Sequence, residues 1–225
     1  MINKSFFVNW FKQYARDFPW RKHGTTPFEF LVTEMLLRQT RAPEVAKLWD
    51  TFISQYPNAK SLAGASTEEL AGQLKILGFG NQKAEALLSA ANWLVKYHGG
   101  DVPDSLDELL DIPHIGLYSA RAILCFAFGH RIEIVDTNIQ RFFARYYGLS
   151  VKPDIRRNPI VWEIAKKALP RERKKAVQHN YGLLDFTADI CKSGRPRCEI
   201  CPLSSTCAWG IQQVGVPATA RKKNI

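Results

Sequence analysis

Apolar positions along this chain recur mostly at helical spacing and seldom in alternation. The clearest segment opens at Thr26-Pro27-Phe28-Glu29. Thr26 can cap a helix there, Pro27 suits a first turn whose N–H needs no partner, and Glu29 can close a capping box. The spacing predicts a helix over residues 27–40. Ser66 with Glu69, and Ser105 with Glu108, repeat the arrangement ahead of EELAGQLKI and DELLDI. Extended signal is confined to Arg131-Ile132-Glu133-Ile134-Val135, a run too short to build a sheet without partners. The pattern therefore predicts an all-α chain of short helices, with residues 151–157 as a loop and 220–225 as a frayed end.

Composition adds bounds. A chain of 225 residues, 46% of them hydrophobic and six of them Trp, has material for one large core or two small ones. No segment approaches the roughly 18 apolar residues of a membrane span, so a soluble, cytoplasmic protein with no membrane partner is expected. A net charge of +10 favours a polyanion, either nucleic acid or an anionic membrane face, and charge alone ranks neither first.

Four of the five cysteines change the picture. Cys191, Cys198, Cys201 and Cys207 follow C-x6-C-x2-C-x5-C, which puts four soft ligands in one short loop and suits iron–sulfur or zinc. Zinc modules usually present two knuckles separated by a longer spacer, and only Cys198-Glu199-Ile200-Cys201 forms one here. Cys125, within AILCFAF, reads as a core thiol. The spacing, with Pro202 after the third cysteine, resembles the [4Fe–4S] loop of the endonuclease III and adenine glycosylase family, the helix-hairpin-helix DNA glycosylases. Exposed Lys192, Arg195 and Arg197 on such a loop would meet DNA phosphates.

Other segments carry the same resemblance. Residues 109–122, Leu-Leu-Asp-Ile-Pro-His-Ile-Gly-Leu-Tyr-Ser-Ala-Arg-Ala, are similar to that family's hairpin, with His114 where a glycine is usual. Pro113 can stop one helix, Gly116 can permit a tight turn, and the amides opening the next helix can donate to a phosphate. Downstream, Ile134-Val135-Asp136-Thr137-Asn138 resembles the segment that holds the family's essential aspartate. Asp136 ends an apolar run and is suited to cap a helix, which would leave its carboxylate fixed and ionised beside a sugar that gains positive charge as its base departs. Glu34, in a helical apolar segment, either pairs with Arg38 at the surface or sits partly protonated in an apolar pocket, able to donate to the leaving base.

Tyr118 stands where the resemblance implies lysine in endonuclease III enzymes, serine in adenine glycosylases and tyrosine in archaeal-type G/T mismatch thymine glycosylases. A phenol cannot form the Schiff base that nicks a strand. The likeness thus implies a monofunctional glycosylase acting, as a monomer, on double-stranded DNA with a G/T or G/U mismatch and carrying a [4Fe–4S] cluster. An adenine glycosylase lacking its C-terminal domain and a non-catalytic DNA-binding relative are the alternatives. It further implies two helical lobes, residues 20–130 with six helices and the hairpin and residues 1–19 plus 131–225 with the cluster, and DNA in the cleft between them. Expected DNA contacts are Arg38, Gln39, which would probe the gap left by a flipped nucleotide, Asn81, His114 and Gly116. Phe79 is either a wedge into the stack or a core residue.

Overall fold

The computed structural model describes residues 2–154 and 158–214, with the side chain of Val214 left out. The expected frayed end at 220–225 and the last three residues of the expected 151–157 loop lie outside them. Among the described residues there are twelve α-helices and no strand. They run as α1 (Phe6–Tyr14), α2 (Pro27–Leu36), α3 (Ala42–Gln55), α4 (Ala59–Ala63), α5 (Thr67–Leu74), α6 (Gly80–His98), α7 (Leu106–Asp111), α8 (Leu117–Phe126), α9 (Thr137–Tyr147), α10 (Pro159–Ala168), α11 (Arg173–Asp189) and α12 (Ala208–Val214). Two compact units contain them, Asp17–His130 and Met1–Arg16 with Arg131–Ile225. Among the described residues no helix is long and apolar enough to cross a membrane.

In the first unit α2 is the hub, packed against α3, α6 and α8. Its N-terminus carries the full capping box, with Thr26 Oγ1 accepting from the Glu29 amide and the Glu29 carboxylate accepting from the Thr26 amide. The helix is shorter than its spacing predicts: it stops at Leu36, and Gln39 takes left-handed backbone (φ 57°). What ends it is remote in sequence. The Lys83 ammonium, from α6, donates to the carbonyls of Leu36 and Arg38 at 2.9 and 2.7 Å and so satisfies groups a helix end leaves unpaired. The other two boxes are incomplete. Ser66 accepts from the Glu69 amide, but the Glu69 carboxylate accepts from Gln55 and Tyr56 instead of returning to Ser66. Ser105 makes no side-chain cap, and the α7 N-terminus is served by the negative charge of Asp107 and Glu108.

In the second unit α1 lies along α11 through an aromatic cluster of Phe6, Phe7, Trp10, Phe142 and Phe186. His179 is buried against Phe7, and burial pushes its pKa down to about 4, which keeps the ring neutral in the core. Gly182 lets the helices touch: a Cβ there would collide with the carbonyl of Phe7. The alternating segment 131–135 forms no strand. It is held by side-chain bonds, Asn180 donating to the Ile132 carbonyl and the segment's own Arg131 guanidinium donating to the carbonyls of Leu169 and Pro170, while Ile134 and Val135 are buried. That buried, irregular lead-in delivers the chain to Asp136.

Gly182→Ala is expected to lower stability by roughly 2–3 kcal/mol, since the obstructing atoms are backbone and cannot rotate away. Denaturant unfolding followed by circular dichroism measures this, and a loss near zero would show that α1 and α11 tolerate separation.

Candidate nucleic-acid interface and catalytic residues

Asp136 caps α9. Its Oδ1 accepts from the Ile139 amide at 2.7 Å and its Oδ2 from the Asn138 side-chain amide at 2.8 Å, so both oxygens are fixed. The carboxylate expected to stay ionised is subject to opposing forces. Burial pushes its pKa above the usual aspartate value, and the bonds from Ile139 and Asn138 and the nearby Arg141 charge act against that rise. Arg141 donates to Asn138 Oδ1 and, on its other edge, to the carbonyl of Cys191. One turn on, Arg145 donates to the carbonyls of Lys192 and Ser193, lies 3.6 Å from Cys191 Sγ, and stacks over Trp209. Two arginines of α9 therefore grip the start of the cysteine loop. Sequence reasoning missed both, although their spacing of four places them on one helix face.

Cys191, Cys198, Cys201 and Cys207 all open on one pocket, walled by apolar side chains that include Phe142, Phe186, Ile190 and Leu203. Among the described residues no three Cys, His, Asp or Glu side chains converge tightly enough for a single metal ion. The four thiols share the lining of that pocket, a soft donor set that suits iron–sulfur or zinc. Burial, then the charges of neighbouring cysteines, raises the Cys198 thiol above its usual pKa. Cys201 is pushed up to about 11, chiefly by burial. A positively charged centre would relieve both effects. Lys192, Arg195 and Arg197 are exposed on the same loop, and Cys125 is fully buried in α8.

The hairpin between α7 and α8 is present, with its strain placed differently from expectation. His114, exposed, takes left-handed backbone (φ 65°), whereas Gly116 at the α8 N-cap is extended (φ −100°), a conformation open to any residue. The tight turn thus belongs to His114, where a glycine would be unstrained. Gly116 is exposed, with open space where a Cβ would stand, at the N-cap of α8. Arg38 Nη1 donates to the His114 carbonyl at 3.4 Å and ties the hairpin to the end of α2.

Within Phe28–Leu36 only Glu29 and Glu34 escape full burial. Glu29 caps the helix, which leaves Glu34 as the half-buried carboxyl of an otherwise apolar element. Tyr118 is half-buried on the first turn of α8. Phe79 is 57% exposed, which removes the core reading. It lies with Arg38, Gln39, Gln82, Lys83 and His114 around an open pocket of about 440 Å³. Asn81 is exposed on the first turn of α6 and lines the neighbouring hollow with Lys75. Asp136 and the cysteines belong to one unit, and Glu34, Tyr118 and the hairpin to the other.

Residues 32–167 match the family described as HhH-GPD superfamily base excision DNA repair protein. The thymine/uracil-DNA glycosylase of Methanothermobacter thermautotrophicus is 37% identical over 194 residues, 86% of this chain and 86% of that protein. The adenine DNA glycosylase of Mycobacterium tuberculosis is 32% identical over 209 residues, 92% of this chain and 67% of that protein. The solved structure of a thermostable thymine-DNA glycosylase is similar with a TM-score of 0.86 at 35% identity, covering 93% of this chain and 95% of that one.

Two stability measurements check this geometry. His114→Val should lose about 1–2 kcal/mol through its left-handed backbone, while His114→Gly should stay within about 0.5 kcal/mol of the parent. Equal losses would show that the turn is not held left-handed. For Asp136, a pKa raised in the folded state means stability that is complete below the unfolded pKa and lost as pH rises through the folded one. The ionised carboxylate therefore costs stability at neutral pH. Asp136→Asn can still cap through its amide oxygen but sets a donor against the Asn138 amide where Oδ2 accepted, so the test is the pH trend. The melting temperature of the variant relative to the parent should improve as pH rises from acid to neutral, and no such trend would contradict this.

Proposed function

The chain belongs to the HhH-GPD superfamily of base excision DNA repair proteins, and on that premise we propose that it is a monofunctional DNA glycosylase that hydrolyses thymine or uracil from mismatches with guanine. The carrying observation is the Asp136 carboxylate, immobilised by two hydrogen bonds at the start of α9. Its fixed orientation supports an electrostatic role: the negative charge faces the sugar as the bond from C1′ to the base nitrogen breaks and the electron pair leaves with the base. Water then adds at C1′ and gives up a proton. Glu34, half-buried in an apolar helix, suits protonation of the leaving base. Tyr118 offers no amine for a Schiff base, which supports release of the base with the strand left whole.

Double-stranded DNA is the partner of this family's work. The finer reading is a monomer on G/T- or G/U-mismatched duplexes, where flipping a mispaired base costs less than extracting a paired one. The amides opening α8 behind exposed Gly116, with exposed Asn81, Arg38, Lys192, Arg195 and Arg197, suit the phosphates. Cys191, Cys198, Cys201 and Cys207 would hold a [4Fe–4S] cluster, and when bound it would supply a covalent cross-link that orders the loop. Arg141 and Arg145 hold that loop to α9, the helix Asp136 caps.

A panel of duplexes carrying G·T, G·U and adenine opposite oxidised guanine tests the reading. Free thymine and uracil are expected, with strand breaks appearing only after alkali. Asp136→Asn should bind the G·T duplex but release almost no base. Parent activity should fall on acidification at a pH above that of an ordinary aspartate, because the working form is the ionised one and burial raises its pKa. Release of adenine alone would instead favour the activity named for the mycobacterial relative, and no release from any duplex would favour a DNA-binding module.

A further inference from the structure

Among the described residues, three non-glycine positions have left-handed backbone, Gln39 (φ 57°), Phe79 (φ 56°) and His114 (φ 65°), and all three line the same 440 Å³ pocket. They come from three separate loops. Strain of this kind persists where the surroundings over-determine it and tends to gather where a protein meets a ligand.

The ties between those loops are few and identifiable. Lys83, buried on the first turns of α6, reaches back to the Leu36 and Arg38 carbonyls just before Gln39. Its own helix begins with Phe79 as N-cap, and the Lys83 amide bonds to the Phe79 carbonyl at 2.9 Å. The Lys83 backbone thus only closes the first turn after Phe79, whereas its side chain pins the start of that helix to the end of α2. Thr40 Oγ1 adds a parallel tie to the Leu77 carbonyl at 3.0 Å, and Arg38 connects to the His114 carbonyl. A buried ammonium without acceptors is costly, so the side chain and the two carbonyls select one arrangement.

The side chains so presented suit a gap in a base stack. Phe79 is exposed between Gly78 and Gly80, where a ring can take the place of a missing base, and Gln39 brings an exposed amide that can bond to a base edge. We propose that Lys83 is a positioning residue for DNA probing: by pinning the start of α6 to the end of α2, its ammonium sets the Gln39 loop against the Phe79 loop at the approach from which both enter a duplex beside an extruded nucleotide. This rests on the glycosylase reading above, which concerns the chemistry at Asp136. Lys83 acts through its neighbours and touches no reacting atom.

The test uses full-length protein and a duplex with a tetrahydrofuran abasic analogue opposite guanine, 2-aminopurine being placed beside the analogue to report unstacking. The parent should prefer this duplex to an undamaged one and brighten the 2-aminopurine on binding. Lys83→Met, checked for folding by its melting curve, should reduce that preference about tenfold and remove most of the brightening, with affinity for undamaged duplex unchanged. A folded Lys83→Met that keeps both signals overturns the proposal. If Lys83→Met does not fold, Lys83→Gln decides, since it keeps a polar end but not an ammonium that reaches both carbonyls: a smaller preference and dimmer signal support the positioning role, and parental values overturn it. A parent with no preference for the abasic duplex would sink the glycosylase reading and this proposal together, whereas a normal parent beside an unchanged variant sinks this one alone.

Discussion

A helix cannot satisfy its own first amides, and the candidate chemistry of this protein depends on how α9 meets that constraint. The group that does so is Asp136, drawn from the end of a buried, irregular segment and held by Ile139 and Asn138. An uncharged cap would serve the helix with less electrostatic cost. Burial opposes ionisation of this carboxyl, and the hydrogen bonds that fix it oppose that rise. Stability and the proposed activity therefore ask opposite things of one side chain.

The same helix reaches the cysteine loop through Arg141 and Arg145, which donate to backbone carbonyls of Cys191, Lys192 and Ser193. Bonds to main-chain atoms constrain the path of a loop more than bonds to flexible side chains would. In the other unit the corresponding work falls to Lys83, Thr40 and Arg38, whose acceptors are likewise carbonyls. Irregular backbone next to each candidate site is thus held by cations or hydroxyls that complete its hydrogen bonding.

Local signals explain what was legible in the sequence. Thr26 and Glu29 lie three residues apart and form the box their types predict, and the Asp136 cap is equally local. The cysteines are close enough in sequence that a shared pocket follows from short loop lengths. Long-range satisfaction was not legible. Nothing near Leu36 stops α2, because the stopping group, Lys83, is 47 residues from it. A signal did exist: Lys83 falls in register with buried Ala86, Leu87, Ala90 and Leu94, so a lysine on the apolar stripe of α6 was the clue. The hairpin's glycine was misjudged for a related reason. Residue type suggested Gly116 for the turn, yet the strained position is His114, whose carbonyl accepts from Arg38.

The outward Phe79 ring has a kinetic implication. The ring stands outward on left-handed backbone without any duplex present, so less conformational entropy is left to lose when one is met. On the glycosylase reading, less of each encounter along an undamaged helix is then spent arranging this loop.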